Sequence, residues 1–167
     1  MPLSHSDLKN KIEDAARTAA SADELMQEIV RLLQENLLKY NWVGFYMLEE
    51  KPGAEPMLVL GPFVGAMTPH VRIPLDEGIC GAAAASGKTV VVDDVNSDPR
   101  YLACSIETKS EIVAPIIVNG SVVGEIDIDS HFAAAFGPDD RKLVEHCAAV
   151  VGKYMERNPR IQTQVKQ

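Results

Sequence analysis

The chain has 167 residues, 46% of them apolar, which fits one globular domain over residues 1–167 that can bury an adequate core without metal or disulfide support. Its formal net charge of −8, without a dense run of Lys or Arg, argues against a surface that binds nucleic acid or anionic membranes. No apolar run approaches the roughly 20 residues of a membrane span, and the N-terminus lacks the apolar core of a secretion signal.

Two helices are predicted at the N-terminus, over residues 7–19 and 21–40. In the second, Ser21 and Glu24 have the spacing of a capping box, and the leucines and isoleucine from Leu25 to Leu37 recur on one face. Such a face is typical of a helix that packs on a sheet. We expect the core of the domain to span about residues 20–152, with the first helix and the tail 156–167 at its periphery.

Six short β-rich runs predict a sheet: 42–48, 57–63, 71–73, 89–92, 111–118 and 121–129. The Asn119-Gly120 pair between the last two favours a tight hairpin, so these strands should be antiparallel neighbours. Residues 78–88 indicate a short Ala-rich helix that ends at Gly87. A closing helix over 137–155 has proline at its first position and acids in its first turn. This order predicts an α+β layered domain.

The last strand carries three carboxylates on one face, because period-two alternation places Glu125, Asp127 and Asp129 together. One interpretation is a solvated strand face. If the face lines a pocket instead, the crowded carboxylates raise one another's pKa, so that one can hold a proton at neutral pH while others bind a cation. Glu111, at the start of the neighbouring strand, is placed to join them.

The three cysteines differ in context, and their odd number does not fit a disulfide framework, which predicts reduced thiols and a cytoplasmic protein. Cys104 lies in a polar loop, where it is either a reactive thiol or a surface residue without a role. Cys80 lies at the entrance to the Ala-rich helix, where a helix N-terminus would stabilise a thiolate, although a packing role is as well supported. Cys147 falls on the apolar stripe of the closing helix and indicates packing.

Trp42 and Tyr46 are four residues apart in the first strand and should share one side of it, either as a pocket wall or as core. Ser110 is a candidate donor to a substrate carboxylate. No close Cys/His pair has metal-ligand spacing, so no metal site is predicted.

Together these motifs resemble the GAF family, and specifically the free methionine-(R)-sulfoxide reductases. The resemblance is carried by residues 41–48, 60–65, 71–84, 91–95, 101–116 and 122–130. It implies a GAF-like α+β domain, an antiparallel sheet with the N- and C-terminal helices on one face and a loop-covered pocket on the other. It also implies reduction of free methionine (R)-sulfoxide, recycling by thioredoxin without a bound cofactor, and a homodimer.

The resemblance assigns roles to individual residues. It implies functional acids at Glu111, Asp127 and Asp129, but not at Glu125, and substrate binding at Trp42 and Tyr46. A sulfoxide reductase needs one thiol to attack sulfur and a second to resolve the sulfenic acid. We expect Cys104 to attack, because a mobile loop offers access, and Cys80 to resolve.

One position departs from the family pattern, which commonly has a third cysteine shortly before residue 71, where this chain has His70. Either two thiols suffice for turnover, or the domain has kept only binding. The alternatives to an enzyme are therefore a GAF domain that binds a small ligand without catalysis and a redox sensor in which Cys80 and Cys104 form a reversible disulfide.

Overall fold

The computed structural model describes residues 2–103 and 105–159. The elements are, in chain order, α1 (His5–Thr18), α2 (Ala22–Asn36), β1 (Trp42–Glu49), β2 (Met57–Val64), β3 (Arg72–Pro74), α3 (Gly78–Ser86), β4 (Val90–Val92), β5 (Ser110–Val118), β6 (Ser121–Ser130) and α4 (Pro138–Arg157). All six predicted strands are present, to within one residue at each end. In the described part of the chain, no helix is both long and apolar enough to cross a membrane.

Caps set the helix boundaries. Helix α1 starts earlier than predicted because the Ser4 hydroxyl accepts the Asp7 N–H at 3.1 Å and the Asp7 carboxylate accepts the Ser4 N–H. In the second helix the Ser21 hydroxyl accepts the Glu24 N–H, also at 3.1 Å. The other half of the predicted box differs, since the Glu24 carboxylate accepts from Ala20 N–H rather than from the N-cap residue. Serine caps of this kind stabilise a helix by about 1 kcal/mol.

Helix α2 ends at Asn36, so its predicted extension to residue 40 is wrong. The Tyr40 N–H donates to the Leu37 carbonyl in a turn, and the Tyr40 hydroxyl donates to Asp140 Oδ1 at 2.7 Å. This bond ties the residue before β1 to the first turn of α4, and burial raises the pKa of the Tyr40 hydroxyl further from neutrality. The tertiary contact therefore ends the helix where apolar periodicity alone would continue it.

The sheet is antiparallel throughout, in the order β3-β2-β1-β6-β5-β4. Strands β5 and β6 form the predicted hairpin, whose turn residues Asn119 and Gly120 have φ values of 51° and 81°. Two positive φ values are the geometry of the tight turn that Asn-Gly favours. The hairpin fixes the register in which Glu111 faces Asp129 and Val113 faces Asp127.

Helices α2 and α4 pack on one face of the sheet, as predicted, and α1 packs against these two helices. The main core lies between them, and the sheet contributes alternate residues to it: Val43, Phe45, Ile112, Ala114, Ile116, Ile126 and Ile128. The opposite face carries a smaller core with α3 and the adjoining segments, including Leu58, Ile73, Ile79, Ala83 and Val113. The fold is therefore the predicted α+β arrangement, with a second buried layer on the face away from the terminal helices.

We expect Gly152→Ala to destabilise the fold although alanine is the better helix former. Gly152 lies inside α4 where that helix contacts β5, and an added Cβ would lie 2.6 Å from the Ile117 carbonyl oxygen. The clash should exceed the roughly 1 kcal/mol gain in helix propensity and leave a net loss of about 1–3 kcal/mol in the free energy of unfolding. Urea denaturation followed by circular dichroism measures it. Exposed Ala149→Gly in the same helix calibrates propensity alone; a more stable Gly152→Ala would contradict the close approach.

Candidate active site

Four carboxylic acids are buried on the sheet face away from α1, α2 and α4. They are Glu111 of β5 and Glu125, Asp127 and Asp129 of β6, and each is at most 5% exposed. The interpretation of β6 as a solvated strand face is therefore wrong. The alternation itself is confirmed, because Ile126 and Ile128 lie in the core on the helix side.

Cys80 lies in the first turn of α3, packed against the carboxylates. Its thiol donates to Asp127 Oδ2 at 3.4 Å. One ligand atom from each of Cys80, Glu111 and Asp127 lies within 4.8 Å of the other two. We call these three residues with Glu125 the acid–thiol cluster. It joins one residue of a short helix to residues of two adjacent strands, which sequence spacing does not show.

Burial raises the pKa of the Cys80 thiol well above its usual range, and the negative neighbours Asp127, Glu125 and Glu111 raise it further. This opposes the expected thiolate at the start of α3. A helix N-terminus contributes about 0.3–1 kcal/mol to a nearby anion, less than one pKa unit. Desolvation among carboxylates outweighs that contribution, so Cys80 is held as a neutral thiol.

The acids also favour their neutral forms. Burial raises the pKa of Glu125, Asp127 and Asp129, while hydrogen bonds from Glu111 act against the rise at both aspartates. Within the described residues, four buried carboxylate oxygens of these acids have no hydrogen-bond partner: Asp127 Oδ1, Asp129 Oδ1, Glu125 Oε1 and Glu125 Oε2. The site therefore favours protonated carboxyl groups and also has unused acceptor capacity.

Aromatic side chains of β1 form a wall beside the acids. Trp42 and Tyr46 share one face, as predicted, with ring centroids 6.2 Å apart, and Trp42 also stacks on Phe63 of β2 at 5.6 Å. The Trp42 indole N–H donates to Ala66 O, and the Tyr46 hydroxyl donates to His70 O at 2.7 Å. These bonds fix the wall to the segment between β2 and β3. Phe63 is an addition that the sequence could have shown only through the β1–β2 register.

A cavity of about 20 Å³ lies between the wall and the acids, with room for about one water molecule. It is lined by Tyr46, His70, Ile73, Gly78, Ile79, Cys80, Leu102, Glu111 and Asp127. The His70 ring nitrogen Nε2 lies 2.8 Å from the Ala103 carbonyl oxygen and links two of the segments that cover the cavity. His70, which stands where the family commonly has a cysteine, thus lies at the cover of the cavity.

Ser110 is not brought into this site. It precedes Glu111 on the same strand and so faces the other side of the sheet, where it is fully buried. Its hydroxyl donates to Phe132 O at 2.6 Å and accepts from Ala135 N–H at 3.3 Å. It therefore holds the segment after β6, and we leave it out of the proposed substrate contacts.

The other two cysteines are not among the residues described at this site. Cys104, the predicted attacking thiol, lies outside the described residues. Cys147 is fully buried in the core on α4, as predicted, and burial raises the pKa of its thiol to about 12. An inert packing thiol fits that environment.

Comparison with known proteins gives the architecture a family. The GAF domain model matches residues 21–155. The free methionine-R-sulfoxide reductase of Escherichia coli (strain K12) is 37% identical over 74% of this chain and 72% of its own length. The protein YtsP of Bacillus subtilis (strain 168) is 43% identical over 73% and 72% of the two chains. The chain belongs to the GAF domain family, among its free methionine-R-sulfoxide reductases.

Solved structures agree with this membership. The free methionine-R-sulfoxide reductase of Neisseria meningitidis, determined in complex with its substrate, superposes with a TM-score of 0.85 at 33% identity and covers 93% of this chain and 90% of its own. The type II enzyme of Thermoplasma acidophilum gives a TM-score of 0.74 at 38% identity, covering 87% and 96%. Within this GAF domain, the described residues predicted to be catalytic or aromatic binding positions all lie on one face.

We expect the stability of this GAF domain to fall as the pH rises, in part through Glu125. Its pKa is raised in the folded state, so the folded chain keeps a proton that the unfolded chain loses above about pH 4.3. Between the unfolded and the folded pKa of Glu125, the free energy of unfolding therefore falls as the pH rises. One such group lowers it by about 1.4 kcal/mol per pH unit. Glu125→Gln should reduce that slope between about pH 5 and pH 7.

Urea unfolding at several pH values, with a chelator present, measures the slope. Glu55→Gln, at an exposed position in the β1–β2 loop, is the matched control and should leave it unchanged. An unaltered slope in Glu125→Gln would show that Glu125 does not hold this proton.

Proposed function

We propose that this domain reduces free L-methionine (R)-sulfoxide to L-methionine by thiol chemistry. The relatives named free methionine-R-sulfoxide reductase support the activity. The observation that carries the proposal is the buried contact of the Cys80 thiol with carboxylic acids beside an aromatic wall. That combination supplies a proton donor, a reducing thiol and a cation-binding surface in one place.

The reaction begins with attack of the Cys104 sulfur on the sulfoxide sulfur. A carboxylic acid of the cluster protonates the sulfoxide oxygen, the S–O bond of the substrate breaks, and the oxygen passes to Cys104 as a sulfenic acid while methionine leaves. Sulfur of the substrate gains two electrons and Cys104 loses two. We assign this proton to Asp127, which accepts from the Cys80 thiol, or to Glu111, the other acid grouped with Cys80.

Resolution and recycling complete the cycle. The Cys80 sulfur attacks the sulfenic sulfur of Cys104, an S–S bond forms, and the oxygen leaves as water. A thioredoxin-type dithiol then reduces the disulfide and becomes oxidised itself, so no bound cofactor takes part. The raised pKa of the Cys80 thiol supports this order, because a neutral thiol is a poor first nucleophile.

Charge complementarity supports the free amino acid as substrate. Among the described residues, no cationic side chain forms an ion pair with Glu125, Asp127 or Asp129, so their ionised forms are available for the substrate ammonium group. Trp42 and Tyr46 would hold the methyl-sulfoxide end or add a cation–π contact. In a peptide the ammonium is an amide and offers no charge to this surface.

Substrate entry requires the cover to move. A cavity of about 20 Å³ admits one water molecule and not an amino acid. The contact between His70 and Ala103 joins two covering segments, and its loss would widen the entrance. We therefore propose that substrate binds to an opened form that closes during turnover, as active-site loops commonly do. By family resemblance we further propose a homodimer.

We expect turnover in a coupled assay with thioredoxin, thioredoxin reductase and NADPH, and its loss in Cys104→Ser. Asp127→Asn removes an acid from the cluster and should lower kcat/KM by about 100-fold or more. Cys147→Ser, in the opposite core, is the thiol control and should retain full activity. No turnover by the wild type, with dithiothreitol also failing as reductant, would instead support ligand binding or redox sensing.

We expect discrimination against substrates whose amino group is blocked. N-acetyl-methionine (R)-sulfoxide cannot present an ammonium to the buried carboxylates and should react at least about 100-fold less efficiently in kcat/KM than the free amino acid. The same assay with both compounds measures the ratio. Equal rates would contradict recognition by the acid–thiol cluster, whereas efficient repair of an oxidised protein would exclude a free amino acid as the preferred substrate.

A further inference from the structure

We propose that the acid–thiol cluster binds one divalent cation of the zinc class, with Cys80, Glu111 and Asp127 as ligands and Glu125 as the fourth. Cys80, Glu111 and Asp127 come from α3, β5 and β6, respectively. They place one sulfur and two oxygens within 4.8 Å of one another. Metal-ligand spacing along the chain did not predict this site. The ligands are far apart in sequence and meet only through the β5–β6 register and the packing of α3.

One distance between two of the ligand atoms fits a tetrahedral ion. Zinc binds thiolate sulfur at about 2.3 Å and carboxylate oxygen at about 2.1 Å, which separates the two ligand atoms by about 3.6 Å at a tetrahedral angle. The Cys80 sulfur and Asp127 Oδ2 are 3.4 Å apart. The Cys80 and Asp127 ligand atoms therefore already have nearly the separation that a bound ion requires.

Glu125 is an independent indication of a ligand. It is fully buried, and within the described residues neither of its carboxylate oxygens accepts a well-formed hydrogen bond, the Cys80 thiol being its polar neighbour. It lies two residues before Asp127 on the same face of β6, opposite Tyr46 of β1. A buried carboxylate without a partner is costly to retain, and coordination of a cation would satisfy it. Asp127 Oδ1, also buried and without a hydrogen-bond partner in the described part of the chain, adds a further ligand atom.

The donor set and the available space select the class of ion. Magnesium and calcium prefer oxygen ligands only, whereas zinc accepts a thiolate together with carboxylates. The cavity of about 20 Å³ that borders Cys80, Glu111 and Asp127 has room for one ion or one water molecule. The same small volume that excludes an amino acid in the closed form thus suits a single cation.

Occupancy would compete with the proposed reductase, because both use Cys80 and Asp127. A zinc ion would hold the Cys80 sulfur and the acids that the sulfoxide needs. Inhibition of turnover by zinc rests on the proposed function, whereas the binding itself does not. The test is therefore a binding measurement that needs no activity.

The experiment is a titration of the full chain, freed of metal by a chelator and kept reduced with a phosphine, using cobalt(II) as a spectroscopic probe of the zinc site. We expect one equivalent to bind, with thiolate-to-cobalt charge-transfer absorption and the visible bands of a four-coordinate ion. Zinc should displace the cobalt. Cys80→Ser should abolish the charge-transfer band, and Glu125→Gln should weaken binding by about 10-fold or more while keeping that band.

Variants of the other two cysteines test whether Cys80 is the thiolate that binds cobalt. Cys147→Ser and Cys104→Ser should both keep the band, and Asp127→Asn should weaken binding if Cys80→Ser fails to fold by circular dichroism. Persistence of the band in a folded Cys80→Ser variant, or its loss in Cys104→Ser alone, would overturn the site. So would the lack of saturable binding by the wild type. A zinc-binding chain without reductase activity would uphold this site and reject the proposed function, and an active chain that binds no cobalt would do the reverse.

Discussion

The site depends on the burial of four carboxylic acids and one thiol on a single sheet face. An isolated ionised carboxylate in a protein interior costs several kcal/mol, and no cationic side chain is paired with Glu125, Asp127 or Asp129 in the described part of the chain. Two features reduce this cost: the aspartates favour their protonated forms, and each forms a hydrogen bond with Glu111. The site therefore favours protonated carboxyl groups and is suited to bind a cation.

The alternation of side chains along β6 supplies residues both to this site and to the main core. Ile126 and Ile128 complete the core under α4 and the N-terminal helices, while Glu125, Asp127 and Asp129 point away from it. A register slip of one residue would exchange the two faces and bury the acids among the helices. The Asn119-Gly120 turn fixes the register, so a local backbone preference at the far end of the hairpin positions the acids.

Much of the fold could be predicted from the sequence, because strands, hairpin and helices have local signals in alternation, turn chemistry and periodicity. The face on which the acids and aromatics lie was predictable for the same reason. Their burial was not, since it depends on α3 and on the covering segments, which are remote in sequence. Ser110 illustrates a signal that was available: as the immediate neighbour of Glu111 on a strand, it had to face the other way.

Cys80 shows why local reasoning failed at the chemistry. The start of a helix favours a thiolate, yet the Cys80 thiol is buried among apolar and carboxyl groups, and burial decides the direction of its pKa shift. Under the proposed function this gives the two thiols different tasks. A carboxylic acid that gives its proton to the sulfoxide oxygen is left ionised beside Cys80, where it can take the thiol proton and relay one to the departing hydroxide. Under this mechanism the first step ionises the acid beside Cys80, and that carboxylate then accepts the thiol proton when the sulfenic acid is resolved.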